Sequence, residues 1–310
     1  INPAFSNNLG VDYWNGDAAL TPATYDSWTI SAQREILRGM TLEFDYNGSK
    51  GSNLQANLLN INQVPLSAVN DLIAQLGPTA AVALLNMQAN SPQAIAAGIK
   101  IPYTNFTNPS IQTTRSVAQA LRPYPQYNTI NTTNSGGDKT GKSMYHAGVI
   151  KLTQRTTHGF TFQGSYTYSK LMTNADTFSG STGSMDTAQP ELEYSIGRLD
   201  QTHSIRLNTV LELPWGPGKK WLHDGGALSH ILGGWRIAAV QAYSSGFPLG
   251  VTTGAVPLAI FNGTNRPNVT GADWRAPTAG DEFDPLVDRY LNRAAFSAAF
   301  AQLCNAPRRN

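Results

Sequence analysis

Two stretches of this chain alternate apolar and polar side chains residue by residue, and that period of two limits the fold more than any other feature. Met40, Leu42, Phe44 and Tyr46 share one face of the first stretch, against Thr41, Glu43, Asp45 and Asn47. Phe160, Phe162, Gly164, Tyr166 and Tyr168 repeat the pattern against Thr161, Gln163, Ser165, Thr167 and Ser169. Such alternation is the mark of a β-strand whose two faces meet different media. A strand of about 9–11 residues, apolar on one side, wet on the other and aromatic near its ends, suits a transmembrane β-barrel.

Six stretches read as spanning strands: about Tyr25–Ile36, Met40–Gly48, Met144–Thr156, Phe160–Lys170, Thr202–Leu213 and Gly234–Phe247. In the first, Trp28, Ile30, Ala32 and Ile36 form the apolar row, and the stem of Arg34 can snorkel to an interface. In the fifth, Ile205, Leu207, Thr209, Leu211 and Leu213 oppose Ser204, Arg206, Asn208, Val210 and Glu212. The third and sixth are weaker, since His146, Gly148 and Gln154 interrupt one apolar row and Gln241 the other.

The connections alternate in length. Residues 37–39 and 157–159 are tight turns, each ending in a Gly that supplies a left-handed conformation. Residues 49–143, 171–201 and 248–310 are long loops, and 214–233 is intermediate. If the strands run up and down, the turns at 37–39, 157–159 and 214–233 fall on one side, periplasmic, and the long loops on the other, extracellular. The first long loop carries helical spacing over Ser67–Leu76 and Thr79–Ala89, split by Gly77-Pro78. This pair reads as a structural cap rather than a ligand lid, and the rigid aromatic Arg122–Tyr127 stretch as a brace. The last segment holds an apolar cluster of Tyr290, Leu291, Ala294, Phe296 and Phe300.

Composition agrees. Charged residues make up only 14% of the 310, against roughly 25% in typical soluble domains, yet mean hydropathy is −0.27. Asn, Thr, Ser, Gln and Gly fill the gap, as a wet lumen and long exposed loops require. A net charge of +2 without a larger basic run than two residues argues against nucleic acid. No run approaches the ~20 apolar residues of a membrane-spanning helix.

Motifs for chemistry are missing from the sequence. Its single cysteine, Cys304, allows no internal disulfide. His146, His158, His203, His223 and His230 have no metal-ligand spacing. No nucleophile, phosphate-loop or dinucleotide fingerprint occurs in a usable context. Asp281, Glu282, Asp284 and Asp288 do not match a calcium-loop spacing and read as a solvated acidic loop. The reading is therefore no enzyme, no cofactor and no metal.

Aromatic residues gather near strand ends: Trp28, Tyr46, Tyr166, Tyr168, Trp235, Tyr243 and Phe247. On the apolar rows they read as an interfacial girdle rather than a sugar-stacking platform. The expected lipid-facing or girdle set is Trp28, Ile30, Leu42, Phe44, Tyr46, Phe160, Phe162, Tyr166, Tyr168, Ile205, Leu207, Leu211, Leu213, Trp235 and Tyr243. The expected lumen-facing set is Glu43, Asp45, Lys151, Arg206 and Glu212, in a wet channel or against a plug.

Particular strings carry a resemblance. Asp26-Ser27-Trp28-Thr29-Ile30-Ser31-Ala32-Gln33-Arg34-Glu35, Leu42 to Gly51, Leu121-Arg122-Pro123-Tyr124-Pro125-Gln126-Tyr127, Gly159 to Lys170, Leu211 to Lys219, Leu232-Gly233-Gly234-Trp235 and Ser245-Gly246-Phe247-Pro248 follow one another across most of the chain. In that order they resemble the barrel of Oar-like TonB-dependent outer-membrane transporters. The resemblance implies an all-β fold: part of a transmembrane antiparallel β-barrel, of the 22-stranded plugged class. It also implies a plug domain and the inner-membrane TonB complex as partners, with outer-membrane lipid around the barrel and a ligand the sequence does not name. The plug and the family's amino-terminal domain are not recognisable in this sequence. Six strands are too few to close, because single-chain barrels start at about eight and an open edge is not tolerated in lipid. The expectation is thus one barrel segment over residues 1–310, continued by sequence on both sides. The rival expectation is a soluble or surface β-rich carbohydrate-binding or adhesive module, whose apolar rows form a sandwich core and whose strands have the usual ~5–6 residues.

Overall fold

The computed structural model describes residues 10–13, 20–56, 58–131, 138–157, 159–176, 184–222, 225–252, 266–277, 283–297 and 306. Its centre is an antiparallel meander of long strands: β2 (Thr24–Leu37), β3 (Met40–Leu54), β5 (Gly141–Thr157), β6 (Phe160–Thr173), β8 (His203–Glu212) and β9 (Arg236–Ser244) pair in that order. The short β7 (Ser195–Ile196) adds to the end of β6. Two small pairs stand apart, β1 (Gly10–Asp12) parallel to β4 (Thr129–Asn131) and β10 (Asn268–Val269) antiparallel to β11 (Phe296–Ser297). The described sheet is open, with β2 and β9 at its edges.

The strands exceed their sequence boundaries where pairing continues past the alternating pattern. β3 runs to Leu54 against β5, and β6 to Thr173 against the start of β5. β8 and β9 stop short, so Leu213 and Trp235 lie just beyond them, joined by a Leu213 N–H to Trp235 carbonyl bond of 2.9 Å. β9 ends at Ser244, so Phe247, expected in the girdle, belongs to no strand. Gly39 (φ 74°) and Gly159 (φ 81°) take the left-handed conformation that the two tight turns demand.

The apolar core lies outside the sheet, in the first long loop. Helices α1 (Leu66–Leu76), α2 (Pro78–Asn86), α3 (Pro92–Ala96) and α4 (Val117–Ala120) bury Val69, Leu72, Val82, Leu85, Phe106 and Val117 among others. Gly77 ends α1 and Pro78 opens α2, as their backbone chemistry dictates. The two short helices expected in this loop are present, and the sequence pattern missed α3 and α4, which are one turn each. A fifth helix, α5 (Ala227–Leu232), lies in the connection read only as an intermediate turn.

Candidate functional site

Cross-strand register decides which side chains share a face. Trp28 pairs with Gly48, Ile30 with Tyr46, Ala32 with Phe44 and Arg34 with Leu42. Carried on, Phe44 pairs with Ile150, Ile150 with Tyr166, Tyr166 with Ile205 and Ile205 with Tyr243. Phe160 pairs with Leu211, Gly164 with Leu207, and Phe162 faces Gln154. All fifteen residues of the apolar set thus lie on one side, with Leu213 and Trp235 prolonging the β8–β9 register. No second layer covers this side among the described residues: Ile30 is 67% exposed, Phe44 49% and Ile150 43%. The strands, 9 to 17 residues long, also exceed the ~5–6 of a soluble sandwich.

The interruption at His146 is filled by neighbouring rings, whereas Gly148 stays open, with nothing within 4 Å of where a Cβ would stand. His146 takes a 2.7 Å hydrogen bond between its Nδ1 and the Tyr46 hydroxyl, and His203 one of 2.8 Å with Tyr166. The Tyr46 and Tyr166 rings stack on these imidazoles, and Trp28 meets His146 edge-on. Tyr46 and Tyr168 both pair with Gly148. The two histidines therefore belong to an aromatic band near the long-loop end of the strands. The sequence signal for His146 was its place on the apolar row, which marked it only as an interruption; His203 carried none beyond the absence of metal spacing. β9 remains the weakest strand, with Gln241 on the apolar side and Val240, 80% exposed, on the other. His158 and His223 lie outside the described residues.

The opposite side is polar. Lys151 Nζ stands 2.9 Å from Glu43 and 2.7 Å from Asp45, so one ammonium bridges two carboxylates of β3. Glu212 is held by Arg236 at 2.6 Å and Lys219 at 3.2 Å. Arg206 is exposed in a recess of about 290 Å³ lined by Tyr145, Thr167, Ser169 and Ser204, over which Leu199–Gln201 folds. The five residues expected to face a lumen therefore share one side but form no single cluster: Glu43, Asp45 and Lys151 meet, while Glu212 and Arg206 stand apart.

The long loops knit into a cap. Asn62 donates through Nδ2 to the carbonyls of Tyr124 (3.1 Å) and Tyr127 (2.8 Å) and accepts from the Tyr124 N–H (2.9 Å). Gln119 Nε2 donates to the carbonyls of Pro125 and Tyr127. Arg122 donates to the Asn62 carbonyl at 2.6 Å, and burial lowers its pKa from the ordinary value. The Arg122–Tyr127 stretch is thus an internal brace. Gln63 Nε2 bonds Asp186 (2.7 Å) and Ser184 Oγ the Leu58 carbonyl (2.6 Å), tying the first loop to the second. Arg266 and Glu193, both buried, form a two-pronged ion pair (2.8 and 2.9 Å) that ties the second loop to the third. Sequence gave no sign of that pair, whose members lie far apart on segments without periodicity.

Beside the cap, a cleft of about 410 Å³ lies between the β8–β9 ends and the last segment. Phe247, Trp274, Arg275 and Tyr290 line it, with Arg275 over the Trp274 ring at 4.9 Å. Of the terminal aromatic cluster, Tyr290 meets Trp274 and Phe283, whereas Phe300 lies outside the described residues. Asp284 accepts from the Leu286 N–H and Asp288 from the Asp284 N–H, an acidic turn closed on itself; Asp281, Glu282 and Cys304 lie outside the described residues. Among the described residues no cluster of three or more His, Cys, Asp or Glu is placed to hold a metal ion.

A protein-family model described as an outer membrane beta barrel domain matches residues 2–310. No curated protein and no solved structure matches the chain.

Proposed function

This chain belongs to the outer membrane beta barrel domain family and is a bacterial outer-membrane protein; from that premise we propose that it is the barrel portion of a TonB-dependent receptor and transporter. The single observation that carries the proposal is the split of one sheet into an uncovered apolar, aromatic side and a charged side closed over at its long-loop end. The apolar side meets lipid, and the side of Glu43, Asp45, Lys151, Arg206 and Glu212 lines the lumen against a plug. Further strands pair with the β2 and β9 edges to close the barrel, since unpaired amides are not tolerated in hydrocarbon.

In this reading the chain performs no covalent chemistry. Outer loops catch the ligand, TonB displaces the plug, and the ligand crosses a lumen in which Glu43 and Asp45 are paired with Lys151, and Glu212 with Lys219 and Arg236. The aromatic cleft at Trp274 and Tyr290, together with the Arg206 recess, supplies binding surface on that route. In-cell photo-crosslinking between the full-length protein and TonB is the direct test, combined with ligand-dependent growth with and without a functional TonB complex. Growth that proceeds equally without TonB, with no crosslink formed, overturns the proposal.

A further inference from the structure

Helix α5 is turned inside out for a soluble protein. It buries Ser229 (3% exposed) and presents Leu228 (63%), Ile231 (65%) and Leu232 (40%) outward, at the i, i+3, i+4 spacing of a single helical stripe. Its attachment explains why Ser229 faces inward. Gly216 and Gly233 bring two backbone segments together so closely that a Cβ on Gly233 would stand 2.8 Å from Gly216 Cα and 2.3 Å from the Ser229 carbonyl. Side chains larger than hydrogen at these points would push the helix off the Pro214–Gly218 turn. Trp235 then fixes the helix to the barrel: its indole Nε1–H donates to the Ile231 carbonyl at 2.9 Å.

Trp235 is 61% exposed and prolongs the register of Leu211 and Ile237, on the uncovered apolar side of the sheet. The helix is therefore anchored through the Ile231 carbonyl to a residue of that side, at its short-turn end. On the same connection Trp221 is 51% exposed and Leu222 38% exposed, and Lys220 Nζ lies 5.0 Å from the Trp221 ring centre. Apolar residues on one helical face, tryptophans at the margin and a cation beside them form the pattern of a segment lying in a headgroup layer.

We propose that α5, with Trp221, Leu222 and Trp235, is an interfacial foot that lies in the periplasmic leaflet, inserting Leu228, Ile231 and Leu232 among phospholipid chains and holding Lys220 at the level of phosphate headgroups. The inference rests on the barrel reading above. The foot pins the vertical position of the β8–β9 hairpin in the membrane.

The test places an environment-sensitive fluorophore on single cysteines in a Cys304→Ser background: Ile231→Cys, His230→Cys and, on the sheet, Ile150→Cys. The full-length protein is reconstituted in vesicles of phosphatidylethanolamine and phosphatidylglycerol, with and without a nitroxide-bearing phospholipid. The expected result is blue-shifted emission quenched by the nitroxide lipid at 231 and 150, and water-like emission quenched by aqueous iodide at 230. Water-like emission at 231 with lipid quenching at 150 overturns the foot and leaves the barrel standing. Lipid quenching equal at 230 and 231 overturns the proposed orientation of the helix. Loss of lipid quenching at 150 overturns the barrel reading itself.

Discussion

The indole of Trp28 occupies the space above Gly48, its cross-strand partner: a Cβ built on Gly48 would stand 2.2 Å from Trp28 Cε2. Glycine within a strand leaves a bare patch of backbone, and an aromatic ring from the next strand covers it. Phe162 does the same for Gly164 within β6, where a Cβ would stand 2.7 Å from its Cζ. A Gly48→Val substitution must therefore displace the Trp28 ring. The expected cost is about 1–3 kcal/mol, as for other overpacked sites, read as an earlier midpoint in urea unfolding from vesicles. Gly148, which meets nothing within 4 Å, provides the control: Gly148→Ala should cost less.

The two sides of the sheet should respond differently to the same charge. Ile150→Arg places a guanidinium on the uncovered apolar side and should cost about 2–4 kcal/mol if that side meets the bilayer midplane. Gln163→Arg, on the polar side, should change folding efficiency little. Equal tolerance at both positions, measured by heat-modifiable gel migration after refolding into vesicles, would sink the lipid assignment.

Lys151 holds two carboxylates apart from one another's repulsion, Glu43 at 2.9 Å and Asp45 at 2.7 Å. Removing the cation alone leaves like charges side by side. Lys151→Met should therefore destabilise the barrel more than the double variant Lys151→Met with Asp45→Asn, which removes one of the two negative charges. The order of the unfolding midpoints checks this, and the reverse order would show that repulsion between Glu43 and Asp45 is not what Lys151 relieves.

The cap should come apart at Arg266. Its partner Glu193 is fully buried and also accepts the Met185 N–H at 2.9 Å. Arg266→Met strands that carboxylate and should cost the cap about 3–5 kcal/mol, as for other broken buried pairs. The measurement is proteolysis: faster cleavage between 184 and 200 with β5 and β6 still protected. Adding Glu193→Gln should restore part of the protection.

Partial desolvation also raises the pKa of the Tyr194 phenol above its ordinary value, although 37% of the residue stays exposed. As the folded pKa is the higher one, the neutral form is favoured by folding. The stability this contributes is present below the ordinary phenol range and is lost as pH rises through it. An absorbance titration of the Tyr194→Phe variant against the parent should show the missing late-titrating phenol.

Period-two alternation alone determined that Met40–Tyr46 and Phe160–Tyr168 are two-faced strands and which residues share a side within each. It does so because successive strand side chains point to opposite faces whatever the neighbours are. Turn chemistry at Gly39 and Gly159 likewise is local, and so was readable. Sequence could not show what lies across from what: Trp28 over Gly48, Tyr46 bonded to His146, Lys151 between Glu43 and Asp45. Those relations depend on register between strands whose paired residues lie up to 108 apart in sequence, which the alternation in one strand does not encode. The Glu193–Arg266 tie and the outward stripe of α5 were hidden for the same reason. A buried pair joining two irregular loops has no period, and a six-residue helix is too short for its stripe to stand out until Ser229 is seen to face inward.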